Sequence, residues 1–341
     1  MSIPEVGSDV ALVGFILEDA DAEALGVDPA TGQVSELINF CRATIAAMAP
    51  DPSSVLLVIA GDFVGSVKSR LPQTYRDSFD DARGAGLVAA KTMVVGDEIH
   101  VVFPAWYFLD SAAMEARMSP AELAEFLSTA PERDRLTRRT TVHEAQHVAM
   151  DQADEDESDF PNARWARRNF LSVAHQILTE YRAELGVHRE LRGEYETDFP
   201  LESLAALKVD LAVIDDAYQA DLNVDALSHN VLQQTQYLWK ALAYFAAARR
   251  IEGVHSPIVL TAADQALWDQ MGGEHWAQFE GLLGRMVSAH TRVSAVDLQR
   301  VTDDLADLLE KWLVSLGFSW RDIENTDNSR FDIVSRHLLN N

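Results

Sequence analysis

The stretch TTVHEAQHVAMDQ, residues 140–152, decides how the rest of the chain is read. It sets His143, Glu144 and His147 in one run, in the order His-Glu-x-x-His, on a segment with helical spacing. Two residues four apart on a helix project from the same face about one turn apart, so both imidazoles can reach one cation. Glu144 is turned from His143 by about 100° and can reach a water on that cation without ligating it. Val142, Val148, Ala149 and Met150 supply the apolar neighbours of a partly buried helix. The string arises by chance in roughly 2% of chains of this length and histidine content, so two surface histidines stand as the alternative. A catalytic zinc takes three protein ligands and keeps one position open, so a third ligand is the discriminating feature.

That ligand is sought in FLSVAHQILTEYRAELGVHRELRGEY, residues 170–195. Glu180 and Glu184 are four apart and share a face there, with Ile177 and Val187 extending the stripe. The other stripe, Phe170, Leu171, Ala174, Leu178, Tyr181 and Leu185, is apolar and suits a core. A solvated face is the bland reading of the two carboxylates. The sharper one is a ligand carboxylate with a second carboxylate bracing a histidine's other nitrogen.

HEAQH followed by a helical Glu-x-x-x-Glu resembles the zincin metallopeptidases, and among them the gluzincins. The resemblance covers about residues 55–192 and implies His143, His147 and Glu180 as zinc ligands, Glu144 as general base and Glu184 as support for a histidine ligand. It implies hydrolysis of peptide bonds by a zinc-bound water that Glu144 activates. It also implies an edge strand beside the cleft that pairs with an extended peptide, for which EIHVVFPAWYF, residues 98–108, is the candidate. Some features depart from the pattern. Glu184 stands where an aspartate is common, and the interval from His147 to Glu180 is longer than in thermolysin itself. The metzincin extension HExxHxxGxxH is absent. An oxyanion-steadying residue is open among His229, Tyr237 and Tyr244, each equally suited to a structural place on a helix.

Composition limits the function classes. With 341 residues and a formal net charge of −26, the chain repels phosphate backbones, which argues against nucleic-acid binding. The charge suits a cationic peptide or protein substrate, and equally suits solubility alone. The one cysteine, Cys41, excludes an internal disulfide framework and reads as a small buried hydrophobe rather than a nucleophile. The N-terminal segment lacks a basic n-region, and no apolar run approaches the roughly 20 residues that span a bilayer, so no membrane partner is expected and the expected address is the cytoplasm.

The expected fold is α+β. Strands are read at ALVGFIL and SSVLLVIAGDF, a helix at VSELINFCRATIAAMA, and a strand pair across Gly96-Asp97. Ser119, Pro120 and Glu122 start one helix, and RDRLTRRTTVHEAQHVAMDQ forms another. The acidic segment 151–160 reads as a solvated loop, lacking the glycine and closing glutamate of a calcium loop. A helical pattern then runs from Pro161-Asn162 to about Glu196, and from Leu201 onward almost everything reads as helix. RGEYETDFPL, 192–201, is the boundary candidate, giving a zincin-like α+β part over 1–195 and a helical part over 196–341, or one continuous domain. His175 reads as structural, His188 as a rim residue, and Arg133, Arg135, Arg138 and Arg139 as surface salt-bridge formers. A zincin-like scaffold that binds or regulates without turnover is the second functional reading.

Overall fold

The computed structural model describes residues 12–77, 79–83, 86–156, 160–193 and 198–337. Parts of the acidic segment and of the boundary stretch, 157–159 and 194–197, lie outside the described residues, as does the N-terminal segment 1–11. The fold is mixed α+β, with a small mixed sheet followed by a largely helical C-terminal part. Two compact units are present. One comprises the chain up to Asp81, Val88–Asp154 and Gly186–Gly193; the other comprises Ala82–Leu87, Glu155–Leu185 and the chain after Gly193.

In the first unit, strand β1 (Gly14–Glu18) leads through helix α1 (Glu36–Met48) to the parallel strand β2 (Val55–Ala60). Ser35 caps α1 by accepting the Ile38 amide on its hydroxyl. Helix α2 (Phe63–Arg70) follows, then β3 (Lys91–Val95) and β4 (Glu98–Pro104), joined at Gly96, whose φ of 63° suits the glycine there. The long helix α3 (Pro120–Asp151) closes the unit's main run.

The sheet order is β1-β2-β4-β3, with β2 parallel to β4 and β3 antiparallel to β4. The edge strands are therefore β1 and β3, and the stretch 98–108 expected at the edge is interior over its strand portion. The reason lies in its side chains. Ile99, Val101 and Phe103 fill one face while Val102 fills the other, so β4 is wanted on both sides. Beyond Pro104 the chain leaves as a short helical turn, Ala105–Phe108.

The two helices expected over residues 119–152 are one 32-residue helix with Pro131 inside it. Its start has the anticipated capping box, Ser119 accepting the Glu122 amide and Glu122 accepting the Ser119 amide. Only the second half is buried, through Ala145 and Val148 against Ile38, Cys41 and Ile45 of α1 and the β2 and β4 face.

The second unit begins with α4 (Trp165–Leu185), α5 (Leu201–Asp221), α6 (Val224–Glu252), α7 (Ala262–Met271), α8 (Trp276–Leu283) and α9 (Ala295–Ser315). Their apolar faces meet around Trp239, which lies 4.5 Å from Phe279 and 5.0 Å from Trp312, centroid to centroid. The expected stripe of Phe170, Leu171, Ala174, Leu178 and Tyr181 is in this core. Helix α4 is shorter than the pattern suggested, beginning at Trp165 and ending at Leu185. Its start is fixed from afar: the Asp322 carboxylate accepts the Ala166 and Arg167 amides. The helical tail of the chain also has an exception, a hairpin of β5 (Phe318–Asp322) and β6 (Ser329–Ile333). Phe318, Trp320 and Phe331 point its alternating face into the helical core.

Cys41 is fully buried, with Sγ 3.0 Å from Thr141 Oγ1, and burial pushes its thiol up to about 12. A thiol reagent at pH 8 is expected to leave the native chain unlabelled and to label one site in denaturant. The unfolded thiol ionises near its ordinary value of about 8.5, so the stability it contributes is complete below that pH and is lost towards 12. Urea unfolding should show the wild type losing about 1–2 kcal/mol more than Cys41→Ala by pH 10.

Candidate functional site

The first unit holds the His-Glu-x-x-His run. Ala145 and Val148 seat α3 in the core, and helical periodicity then turns His143 and His147 away from that seat, with Glu144 at its margin. His143 and Glu144 are mostly buried, at 7% and 8% exposure, and His147 is half-buried. The two imidazoles stand with ring centroids 5.1 Å apart at 61° to one another. Glu144 is held by the edge strand β3, where Thr92 Oγ1 donates to its Oε2 at 2.7 Å. The same hydroxyl lies 3.4 Å from the Glu144 carbonyl oxygen, so β3 meets the helix at this residue.

The neighbouring turns are fully packed. Val142 clusters with Val187 and Leu191. Gly186 lies so near Gln146 that a Cβ there would fall 2.3 Å from the Gln146 side-chain carbon Cδ. Thr137 and Thr141 return their hydroxyls to the backbone of the preceding turn, donating to the carbonyls of Arg133 and Thr137 at 2.8 and 2.7 Å. Tyr107 is buried under this helix, and burial raises its phenol above the ordinary range.

The second unit holds Glu180 and Glu184 on α4. Both oxygens of Glu180 are engaged from α6: Lys240 Nζ donates to Oε1 at 3.1 Å and Tyr244 OH donates to Oε2 at 2.5 Å. Glu184, one turn on, is buried to 1% exposure. Of the residues left open for an oxyanion, Tyr244 is tied to Glu180. Tyr237 instead accepts from Gln233 at 2.7 Å, and His229 is exposed.

His175 is buried with its ring edge-on to Phe160, as a structural residue should be. His188 is half-buried at the head of a short helical turn. The arginine cluster does pair locally, Arg135 with Glu132 at 2.6 Å and Arg138 with Asp134 at 2.8 Å, while Arg133 lies over the Phe126 ring. The acidic loop is not wholly solvated. Glu155 is 5% exposed, bonds the fully buried Arg182 at 2.7 Å and accepts the Val293 amide at 2.7 Å. A carboxylate leaves water only for partners of this kind.

Thr92 and Lys240 escape a reading of the sequence. Thr92 is one threonine of a strand 52 residues from its partner, with no local signal. Lys240 sits in YLWKALAY, and its spacing of four from Tyr244 was the available hint. No protein-family model, curated protein or solved structure matches the chain.

Thr92→Val keeps the β-branched shape and removes the donor to Glu144. It is expected to cost about 1–2 kcal/mol in urea unfolding, with Thr92→Ser close to wild type. Equal stability of Thr92→Val and wild type would show that the bond contributes nothing.

Proposed function

We propose that the chain is a zinc-dependent metallopeptidase in which His143, His147 and Glu180 hold the metal, Glu144 is the general base and Glu184 supports the ligand shell. The observation that bears most weight is the pair of imidazoles 5.1 Å apart beside a mostly buried Glu144 fixed by Thr92. Two neutral nitrogens and one carboxylate are the donor set a catalytic zinc takes, and they leave one position open. The choice of Glu180 rests on the gluzincin resemblance, in which a glutamate on a following helix completes the donor set.

When bound, zinc supplies a Lewis acid and lowers the pKa of water towards neutrality. The protein's own groups do the rest. Glu144 accepts a proton from the attacking water and hands it to the leaving amine. The Thr92 bond holds that carboxylate in one orientation, with one oxygen committed to the strand and the other available for proton transfer. As one edge of the sheet, the one that touches Glu144 through Thr92, β3 offers backbone groups to an extended peptide, which would then run beside Glu144. The net charge of −26 draws cationic peptides and repels nucleic acid. Among the described residues no helix is long and apolar enough to cross a membrane, and a cytoplasmic address is part of the proposal.

Glu144→Gln is expected to retain zinc and lose cleavage of a peptide library by at least a hundredfold. The wild type should lose the same cleavage to a chelator. Glu180→Ala is expected to lose zinc on dialysis, as read by elemental analysis. Full activity of Glu144→Gln would remove the mechanism, and unchanged zinc content of Glu180→Ala would remove that ligand.

A further inference from the structure

Helices α4 and α6 meet across an apolar interface of Leu178, Tyr181, Leu238, Trp239, Leu242 and Ala243, yet a line of polar groups runs through their contact. Gln236 donates to Gln176, Lys240 to Glu180 at 3.1 Å and Tyr244 to Glu180 at 2.5 Å. The first two pairs are each 60 residues apart, so the rungs advance together, one turn at a time, along both helices. The side chains of Glu180 and Lys240 keep only 17% and 24% exposure. A carboxylate placed there needs a counter-charge to stay ionised and needs donors to stay still.

Resting on the metal reading above, we infer that Lys240 and Tyr244 are positioning residues that act on Glu180 in opposite senses. Lys240 is the resident cation, neutralising the carboxylate while no metal is bound. Tyr244 is the orienting donor, fixing the rotation of the carboxylate through Oε2. The hydrogen bond to a neutral phenol costs an arriving cation nothing in charge. The ammonium, by contrast, repels a second cation at the same carboxylate. A carboxylate has about four lone-pair sites, so two donors do not exhaust it. The arrangement therefore trades metal affinity for a Glu180 that is charged and oriented before loading.

The test uses the full chain and Zn²⁺, with affinity read by competition against a chromophoric chelator and folding by circular dichroism. Tyr244→Phe is expected to weaken zinc about tenfold, the lower end of the effect of losing a group that orients a ligand. Lys240→Met is expected to tighten zinc about tenfold, and Lys240→Arg to stay near wild type. Should Lys240→Met not fold, Lys240→Gln removes the charge while keeping a donor and is read the same way. Weaker or unchanged affinity on removing the lysine charge, or unchanged affinity in Tyr244→Phe, overturns the inference. Glu180→Ala measured alongside separates the two layers. If it binds zinc like wild type, the metal reading falls and this inference with it. If it weakens zinc while the Lys240 and Tyr244 variants match wild type, this inference alone falls.

Discussion

Ala145 and Val148, both fully buried against α1 and the sheet, set the rotation of α3 and with it everything the motif can do. They are the unremarked x and the residue after the second histidine in a string usually read for its charged members. On a helix the seat and the working face are locked to one another by 100° per residue. If the seat slipped by one position, Glu144 would turn away from Thr92 and the imidazoles from their common side. The chemistry of three side chains thus rests on close packing of two small apolar ones, in a core where a methyl group's worth of volume is felt.

The second unit solves a different problem with different means. Its tryptophans and phenylalanines form a broad apolar centre, and the arginines inside it meet partners, while Trp239 Nε1 and Arg182 Nη1 are buried without a hydrogen bond among the described residues. Arg182, with no exposed surface, meets Glu155 and the carbonyls of Val287 and Thr291. Arg250 donates to Tyr181 OH and to the carbonyl of Met286. Breaking one partner of such a set leaves a charge stranded, and these contacts tie the loops at Glu155 and over 286–291 to the helices. The Glu180 pairings are of the same kind, placed on a residue with a proposed second use.

What the sequence told in advance follows from the range of each interaction. Local period and local caps were readable: α1, the β3–β4 turn at Gly96, the Ser119 start of α3, the apolar stripe of α4. The adjacency of His143 and His147 needed only the pitch of a helix. Everything set by distant partners was not readable. Strand order is such a property, and so β4 rather than β3 was expected at the edge. The end of α4 at Leu185 was not readable either, since Val187 and Leu191 continue the apolar rhythm past it. Glu155 looked like one acid among several until Arg182 was seen opposite it. The β5–β6 hairpin did leave a trace, the alternation of Phe318 and Trp320 before a turn-rich stretch, and helical neighbours obscured it.

The cap of α4 has a consequence for how the chain matures. The amide of Ala166 waits for a carboxylate 156 residues downstream. During synthesis, the helix bearing Glu180 emerges from the ribosome long before Asp322 does. The amides of Ala166 and Arg167 therefore lack this carboxylate until the hairpin that starts at Phe318 is made and docks. Translation order thereby delays the completion of this helix until Asp322 has been made.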